Sequence, residues 1–238
     1  MRKITFLPIV SFLFVTVAQT LLAANTGKHL FILSGQSNMA GIDPALSFTP
    51  TVEQAFGAEN VIVVHDAEGG TEIGAWLLPE PGSNNKKAGR FYERLMKKVG
   101  PAIEEETLAS VTFIWMQGER DSHQKVMNGD GYAEDFTILM SQLNQDLGRE
   151  DLFVVLGRIN DFGLLTTKGK AKYPHWTKVR EAQVTIAESN PRFDWVDTDD
   201  LNNWSSIQHH IHASEEGYVI LGQRFADKAV EQIRLHQN

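Results

Sequence analysis

The stretch "FILSGQSNMAG", residues 31–41, begins as an uninterrupted apolar run and breaks into small and polar residues around one serine. An apolar run with no polar alternation suits a strand buried on both faces, as in a parallel sheet covered by helices. The pattern recurs in "HLFILSG" (29–35), "VIVVHDAEGG" (61–70), "SVTFIWMQG" (110–118), "LFVVLGRIN" (152–160) and "FDWVDTDDL" (193–201). Helical periods lie between and after them. Phe91, Leu95, Met96 and Val99 stop at Gly100 and Pro101; Phe136, Leu139, Met140, Leu143 and Leu147 stop at Gly148. A third period, Trp176, Val179, Ala182 and Ile186, stops at Asn190 and Pro191. A fourth starts from Ser214 as N-cap and runs through Tyr218, Leu221, Phe225, Ala229 and Ile233. This alternation predicts a three-layer α/β/α sandwich with a parallel sheet of about five strands. Two loops rich in turn residues, 79–89 and 161–174, either rim a pocket or simply connect elements.

The N-terminus reads differently. Met1, Arg2 and Lys3 precede a run from Ile4 to Ala24 that is apolar apart from a few Ser, Thr and Gln, and Ala23 and Ala24 suit a cleavage site. Residues 1–24 are therefore expected to be a secretory signal peptide and residues 25–238 one domain, secreted or periplasmic. The run is also long enough to span a bilayer, so an uncleaved anchor is the alternative. The sequence has no cysteine, which removes a disulfide framework from consideration. The formal net charge is −8, and −10 without Arg2 and Lys3. Such a surface repels nucleic acid and anionic lipid headgroups, although a local basic pocket could overrule the global sign.

Ligands of open α/β sheets bind beyond the carboxyl ends of the strands, and Ser37 falls two residues past the first predicted strand. Gly35, Ala40 and Gly41 keep that turn uncrowded, so the hydroxyl could be exposed and the Ser37 N–H could face a developing oxyanion. Serine is equally suited to capping a following helix. The GxSxG elbow of the α/β-hydrolases is only half present, because Met39 stands at its last glycine position. A serine nucleophile also needs a base and oxyanion donors. Gly69 and Gly70 end the second strand, where they offer backbone N–H groups or an ordinary turn. Gln117, Glu119 and Asp121 follow the third strand; the amide of Gln117 could serve an oxyanion. Histidines at 209, 210 and 212 precede the last helix, and His212 could approach the serine. Three clustered histidines could instead bind a metal, but HHxH lacks carboxylate or thiolate partners at familiar spacing. Trp76 offers a face for a sugar ring or a core side chain, and Arg158 either touches an acidic sugar or pairs with a carboxylate.

Taken together, GQSNMxG, GGT, QGExD and HxSxEGYxxLGxRxA, in that order across residues 31–226, resemble the SGNH hydrolases, most closely their sialate O-acetylesterase and acetylxylan esterase branch. The resemblance implies a serine esterase that removes acetyl groups from a carbohydrate without a metal or other cofactor. Its partner would be a small-molecule or polysaccharide acetyl ester. It implies Ser37 as nucleophile, His212 as general base, and an oxyanion hole made by the N–H groups of Ser37 and Gly70 with the amide of Gln117. One departure stands out: His209 occupies the position where the family carries an aspartate, three residues before its histidine. Glu119 is then the first candidate for the third member of the triad, followed by Asp121, Asp199 and Asp200. Two other readings stay open: a lipid or thioester hydrolase of the same fold, and a catalytically weakened carbohydrate-binding protein. Asn203, Trp204 and Ser205 form a glycosylation sequon, usable only in a eukaryotic secretory route.

Overall fold

The computed structural model describes residues 27–79, 82, 88–123, 131–164, 166–167, 170–171, 173–203 and 209–237. The expected signal peptide lies outside the described residues, as do Trp204 and Ser205 of the sequon and most of the loop 79–89. Among the described residues no helix is long and apolar enough to cross a membrane.

In chain order the elements are β1 (Lys28–Gly35), α1 (Ser37–Ala40), α2 (Phe48–Phe56), β2 (Val61–Ala67), α3 (Arg90–Ile103), β3 (Leu108–Met116), α4 (Tyr132–Leu147) and β4 (Phe153–Gly157). They continue with β5 (Thr166–Thr167), β6 (Lys170–Ala171), α5 (Trp176–Glu188), β7 (Phe193–Val196) and α6 (Glu215–Gln237). Five strands form one parallel sheet in the order β2-β1-β3-β4-β7, and β5 and β6 make a separate antiparallel pair. All five predicted strands thus enter one sheet. Helices α2 and α6 pack together against one face, while α3, α4 and α5 cover the other, as right-handed crossovers require. The chain moves outward from β1 in both directions, so the switch point lies where β1 ends between β2 and β3.

The central strands are apolar because both their faces meet helices. Leu30, Phe31, Ile32 and Leu33 of β1, and Val111, Phe113, Ile114 and Trp115 of β3, are fully buried. Trp76 meets Trp115 edge-to-face at 5.1 Å between ring centroids and lies wholly inside the core, so it offers no face to a sugar. Ser214 caps α6 as expected, its hydroxyl accepting from the Gly217 N–H at 3.0 Å.

One local expectation changes, and one helix had not been expected. Helix α3 does not stop at Gly100 but runs through Pro101 to Ile103; so close to the helix end, the missing proline N–H costs only one hydrogen bond. Helix α2 carries no long apolar period, because only Phe48 and Val52 of its nine residues are buried. Gly35 shows why a glycine ends β1. Its φ is +145°, and a Cβ there would lie 2.0 Å from the Met116 carbonyl oxygen. That close approach delivers Gln36 onto β3, where its N–H donates to the same oxygen at 2.9 Å.

Candidate active site

Ser37 is the first residue of α1, at the carboxyl edge of the sheet beside the switch point. The capping position belongs to Gln36, and no side chain caps this helix. The serine hydroxyl is used otherwise: Ser37 Oγ lies 3.0 Å from His212 Nε2, across 175 residues of chain. Gln36 fixes the floor beneath it. Its Oε1 accepts from the N–H of Gly118 at 3.4 Å, the N–H of Arg120 at 3.2 Å and Nε2 of Gln117 at 3.3 Å. Thus β1 and the loop after β3 share one carboxamide.

The histidine arrives on the segment leading into α6, held by polar contacts to three places. Asn38 Nδ2 donates to the Ile211 carbonyl at 3.0 Å, and Asn160 Nδ2 donates to the carbonyls of His210 and Ile211, each at 3.4 Å. The His210 N–H donates to the Asn202 carbonyl. His209 is the one non-glycine residue with positive φ (53°) among the described residues, and it turns the exposed chain ahead of the pair. The N–H of His212 then donates to Nδ1 of His210 at 3.0 Å. That bond requires His210 to carry its proton on Nε2 when neutral. Burial, and then the charge of His210, push the His212 pKa below the usual 6.5. His212 is therefore neutral, and able to take a proton, over most of the physiological range.

The carboxylates follow a different logic. Glu119 is almost wholly buried; its Oε1 accepts from Asn38 Nδ2 at 2.6 Å, while Oε2 has no hydrogen-bond partner among the described residues. Burial pushes its pKa up to about 7, against the opposing effect of the Asn38 bond. The described hydrogen bonds do not join Glu119 to His212 directly. They run through Asn38, whose amide also holds Ile211 and whose Oδ1 accepts from the Tyr218 hydroxyl at 3.2 Å. Asp121 accepts from the Ile73 N–H at 3.1 Å and from the amide of Gln117, and burial likewise raises it to about 7. Asp199 pairs with Arg158 and Arg180, and Asp200 with Arg224. Arg158 also reaches Asp197, so it serves ion pairs and not a substrate.

The residues expected to form the oxyanion hole beside Ser37 stand in different surroundings. Gln117 Nε2 faces the Thr71 carbonyl at 3.0 Å, Gln36 Oε1 and Asp121 Oδ2, so its hydrogens are committed within the protein. The amide braces the loops after β2 and β3. Of the glycine pair, Gly69 is the one facing the serine: a Cβ on it would lie 3.7 Å from Ser37 Cβ, whereas one on Gly70 (φ +68°) would meet nothing within 4 Å. Gln36, Asn38, Asn160 and Tyr218 complete the constellation without having been singled out in the sequence. The first two stand inside the quoted motif, and buried polar residues beside a candidate nucleophile were the available signal. Among the described residues no group of three or more His, Asp or Glu side chains is placed to hold a metal.

A doubly wound parallel sheet with a serine and a histidine in contact at its carboxyl edge is the architecture of the SGNH-like esterases. A family model described as carbohydrate esterase, sialic acid-specific acetylesterase, matches residues 40–231, and the chain belongs to that family. A "probable carbohydrate esterase" of Arabidopsis thaliana is 24% identical over 211 residues, covering 85% of this chain and 68% of that protein. The X-ray structure of that plant protein superposes with a TM-score of 0.63 at 22% identity, over 86% of this chain and 98% of the other. A carbohydrate acetylesterase from Xanthomonas citri gives a TM-score of 0.63 at 18% identity, over 87% of this chain and 56% of the other. The match takes in the second, third and fourth motifs and begins at Ala40, three residues after Ser37; the enzyme class follows from the family membership.

Proposed function

We propose that this protein removes O-acetyl groups from a carbohydrate through an acetyl-enzyme on Ser37, and that residues 1–24 export it. The observation that carries the mechanism is the 3.0 Å contact between Ser37 Oγ and His212 Nε2. Neutral His212 takes the hydroxyl proton as Ser37 attacks the acetyl carbonyl. The tetrahedral oxyanion forms beside the backbone of Ser37 and Gly69, where N–H donors supply stabilisation. The protonated histidine passes its proton to the departing sugar oxygen. Water, deprotonated by the same ring, then releases acetate and restores the serine.

Glu119 enters this reading as a positioning residue. It holds Asn38, and Asn38 holds the chain carrying His212. His210 Nδ1 accepts from the backbone N–H of His212 and so helps to fix the turn that carries the imidazole, while its charge favours the neutral ring. The experiment that tests the mechanism is rapid acid quench during turnover of an aryl acetate, followed by peptide mass analysis. The peptide containing Ser37 is expected to carry one acetyl group in the steady state. Acetylation found only elsewhere would reject the assignment.

The pH profile tests the base. Because the His212 pKa is lowered, the acid limb of kcat/KM is expected below pH 6.5. His210→Asn keeps an acceptor near Nδ1 but removes the charge, and it is expected to move that limb upward. A wild-type limb clearly above 6.5 contradicts His212 as the free-enzyme base.

A further inference from the structure

Glycine is the least restrained of residues, yet Gly69 and Gly70 form an exposed turn beside the nucleophile, with Gly69 facing Ser37. An N–H donor stabilises an oxyanion only if it is in place before the charge develops. What holds this turn therefore bears on the rate. Beyond it the chain is fastened repeatedly. The Thr71 hydroxyl donates to the Glu68 carbonyl at 2.7 Å, the Thr71 carbonyl accepts from Gln117 Nε2 at 3.0 Å, and the Ile73 N–H donates to Asp121 at 3.1 Å. Among the described residues no hydrogen bond takes the N–H of Gly69 or Gly70.

Before the turn, one side chain does the fastening. Arg94 of α3 spends all three guanidinium nitrogens on three consecutive residues at the end of β2. Its Nε donates to Asp66 Oδ2 at 2.7 Å, Nη2 to the Ala67 carbonyl at 3.2 Å and Nη1 to Glu68 Oε2 at 2.7 Å. Glu68 is tied in turn to the strand that delivers the nucleophile, its N–H donating to the Gly35 carbonyl at 3.0 Å. Gly69 is the next residue in the chain. Stability alone does not ask for this fork, because Lys98 already meets the buried Asp66 at 2.5 Å and an ion pair to the partly exposed Glu68 adds little. A guanidinium holds several acceptors at fixed mutual angles, which the point charge of a lysine cannot do.

Resting on the esterase reading above, we propose that Arg94 is a positioning residue for the oxyanion turn: by gripping residues 66–68 it fixes where the Gly69 N–H stands relative to Ser37. When Ser37 Oγ bonds to the acetyl carbon, the carbonyl electron pair passes to oxygen, and that oxygen meets a donor whose place the fork has set. Arg94 touches neither substrate nor reacting atoms. Misplacing a group in the site by about 1 Å can cost about a hundredfold in rate. Loosening the fork therefore acts on kcat and leaves ground-state binding alone.

The test reads the preference for oxygen over sulfur at the reacting carbonyl. An aryl acetate and the matching aryl thionoacetate are turned over by wild type, Arg94→Lys, Glu68→Gln and Lys98→Met. Sulfur spreads the developing charge and accepts hydrogen bonds poorly, so a well-placed donor favours the oxygen ester and a displaced one loses that preference. Arg94→Lys is expected to lower kcat for the acetate about tenfold or more, to leave KM within about twofold, and to shrink the oxygen-to-sulfur ratio severalfold. Glu68→Gln weakens a single prong and is expected to shrink the ratio in the same direction. Lys98→Met disturbs the same Asp66 without touching residues 67 and 68, and is expected to keep the wild-type ratio. An unchanged ratio in Arg94→Lys, or in Glu68→Gln should the lysine variant fail to fold, overturns the proposal. Equal shrinkage in Lys98→Met overturns it too, since the effect would then come from loosening β2 at large. Acid quench of the wild type separates this from the catalytic reading. Acetyl on Ser37 with unchanged ratios in the variants refutes the role of Arg94 alone, whereas no acetyl on Ser37 refutes the serine mechanism and this proposal with it.

Discussion

Ser37→Ala is expected to lower kcat for an aryl acetate by roughly 10⁴-fold or more, because it removes the only atom that bonds to the acyl group. His212→Ala should cost a similar factor, since an unassisted serine hydroxyl is almost entirely protonated at neutral pH. The double variant should be scarcely slower than either single one, because residues that act as a unit lose their contribution together. Ser37 forms no helix cap, so alanine in its place leaves the fold intact and near-wild-type unfolding is expected alongside the lost turnover. Retention of more than about a tenth of the activity by Ser37→Ala would end the covalent reading. Strictly additive losses in the double variant would mean that the two side chains act in separate steps.

The second large effect concerns stability. Glu119 rises from 4.5 to about 7 on folding, chiefly through burial. A carboxyl group that binds its proton more tightly when folded stabilises the protein below its unfolded pKa. That contribution is lost as pH rises through the folded value. For Glu119 the loss between about pH 4.5 and 7 amounts to about 3 kcal/mol, and the side chain is too deep for solvent to screen much of it. Asp121 acts in the same direction, whereas His29, His65 and His212, all lowered, act in the opposite one. The informative quantity is therefore the difference between wild type and Glu119→Gln, which keeps an acceptor for Asn38 and cannot ionise. Urea unfolding at pH 5 and pH 8 should show the variant gaining on the wild type by up to about 3 kcal/mol at the higher pH. A constant difference across that range would mean that Glu119 does not titrate there.

The fold was legible wherever burial on both faces left a strand no choice of composition, as in Phe31–Leu33 and Val111–Trp115. Ser214 was legible as a cap because its bond spans only three residues. Helix α2 escaped because two buried residues in nine make too weak a period, and Pro101 misled because a proline near a helix end is tolerated. In the site, Ser37 and His212 could be read from motif order. The direction of the Gln117 amide could not: whether it faces an oxyanion or Asp121 is decided by loops 46 and 4 residues away folding around it. Asn38 and Asn160 were missed for the same reason, since their acceptors include backbone carbonyls 173 and 51 residues distant. Hydrophobic spacing says nothing about such pairings.

Asn38 gives the molecule a vulnerability that its buried position conceals. Its amide nitrogen serves both Glu119 and the Ile211 carbonyl while its oxygen takes the Tyr218 hydroxyl, so a side chain with both a donor and an acceptor end is needed. Aspartate has the same outline and only acceptors. Deamidation of this one residue, with no change of shape, would set oxygen against oxygen at two contacts and release the loop that carries the imidazole. For this protein, chemical ageing at a single atom would be a route to silence.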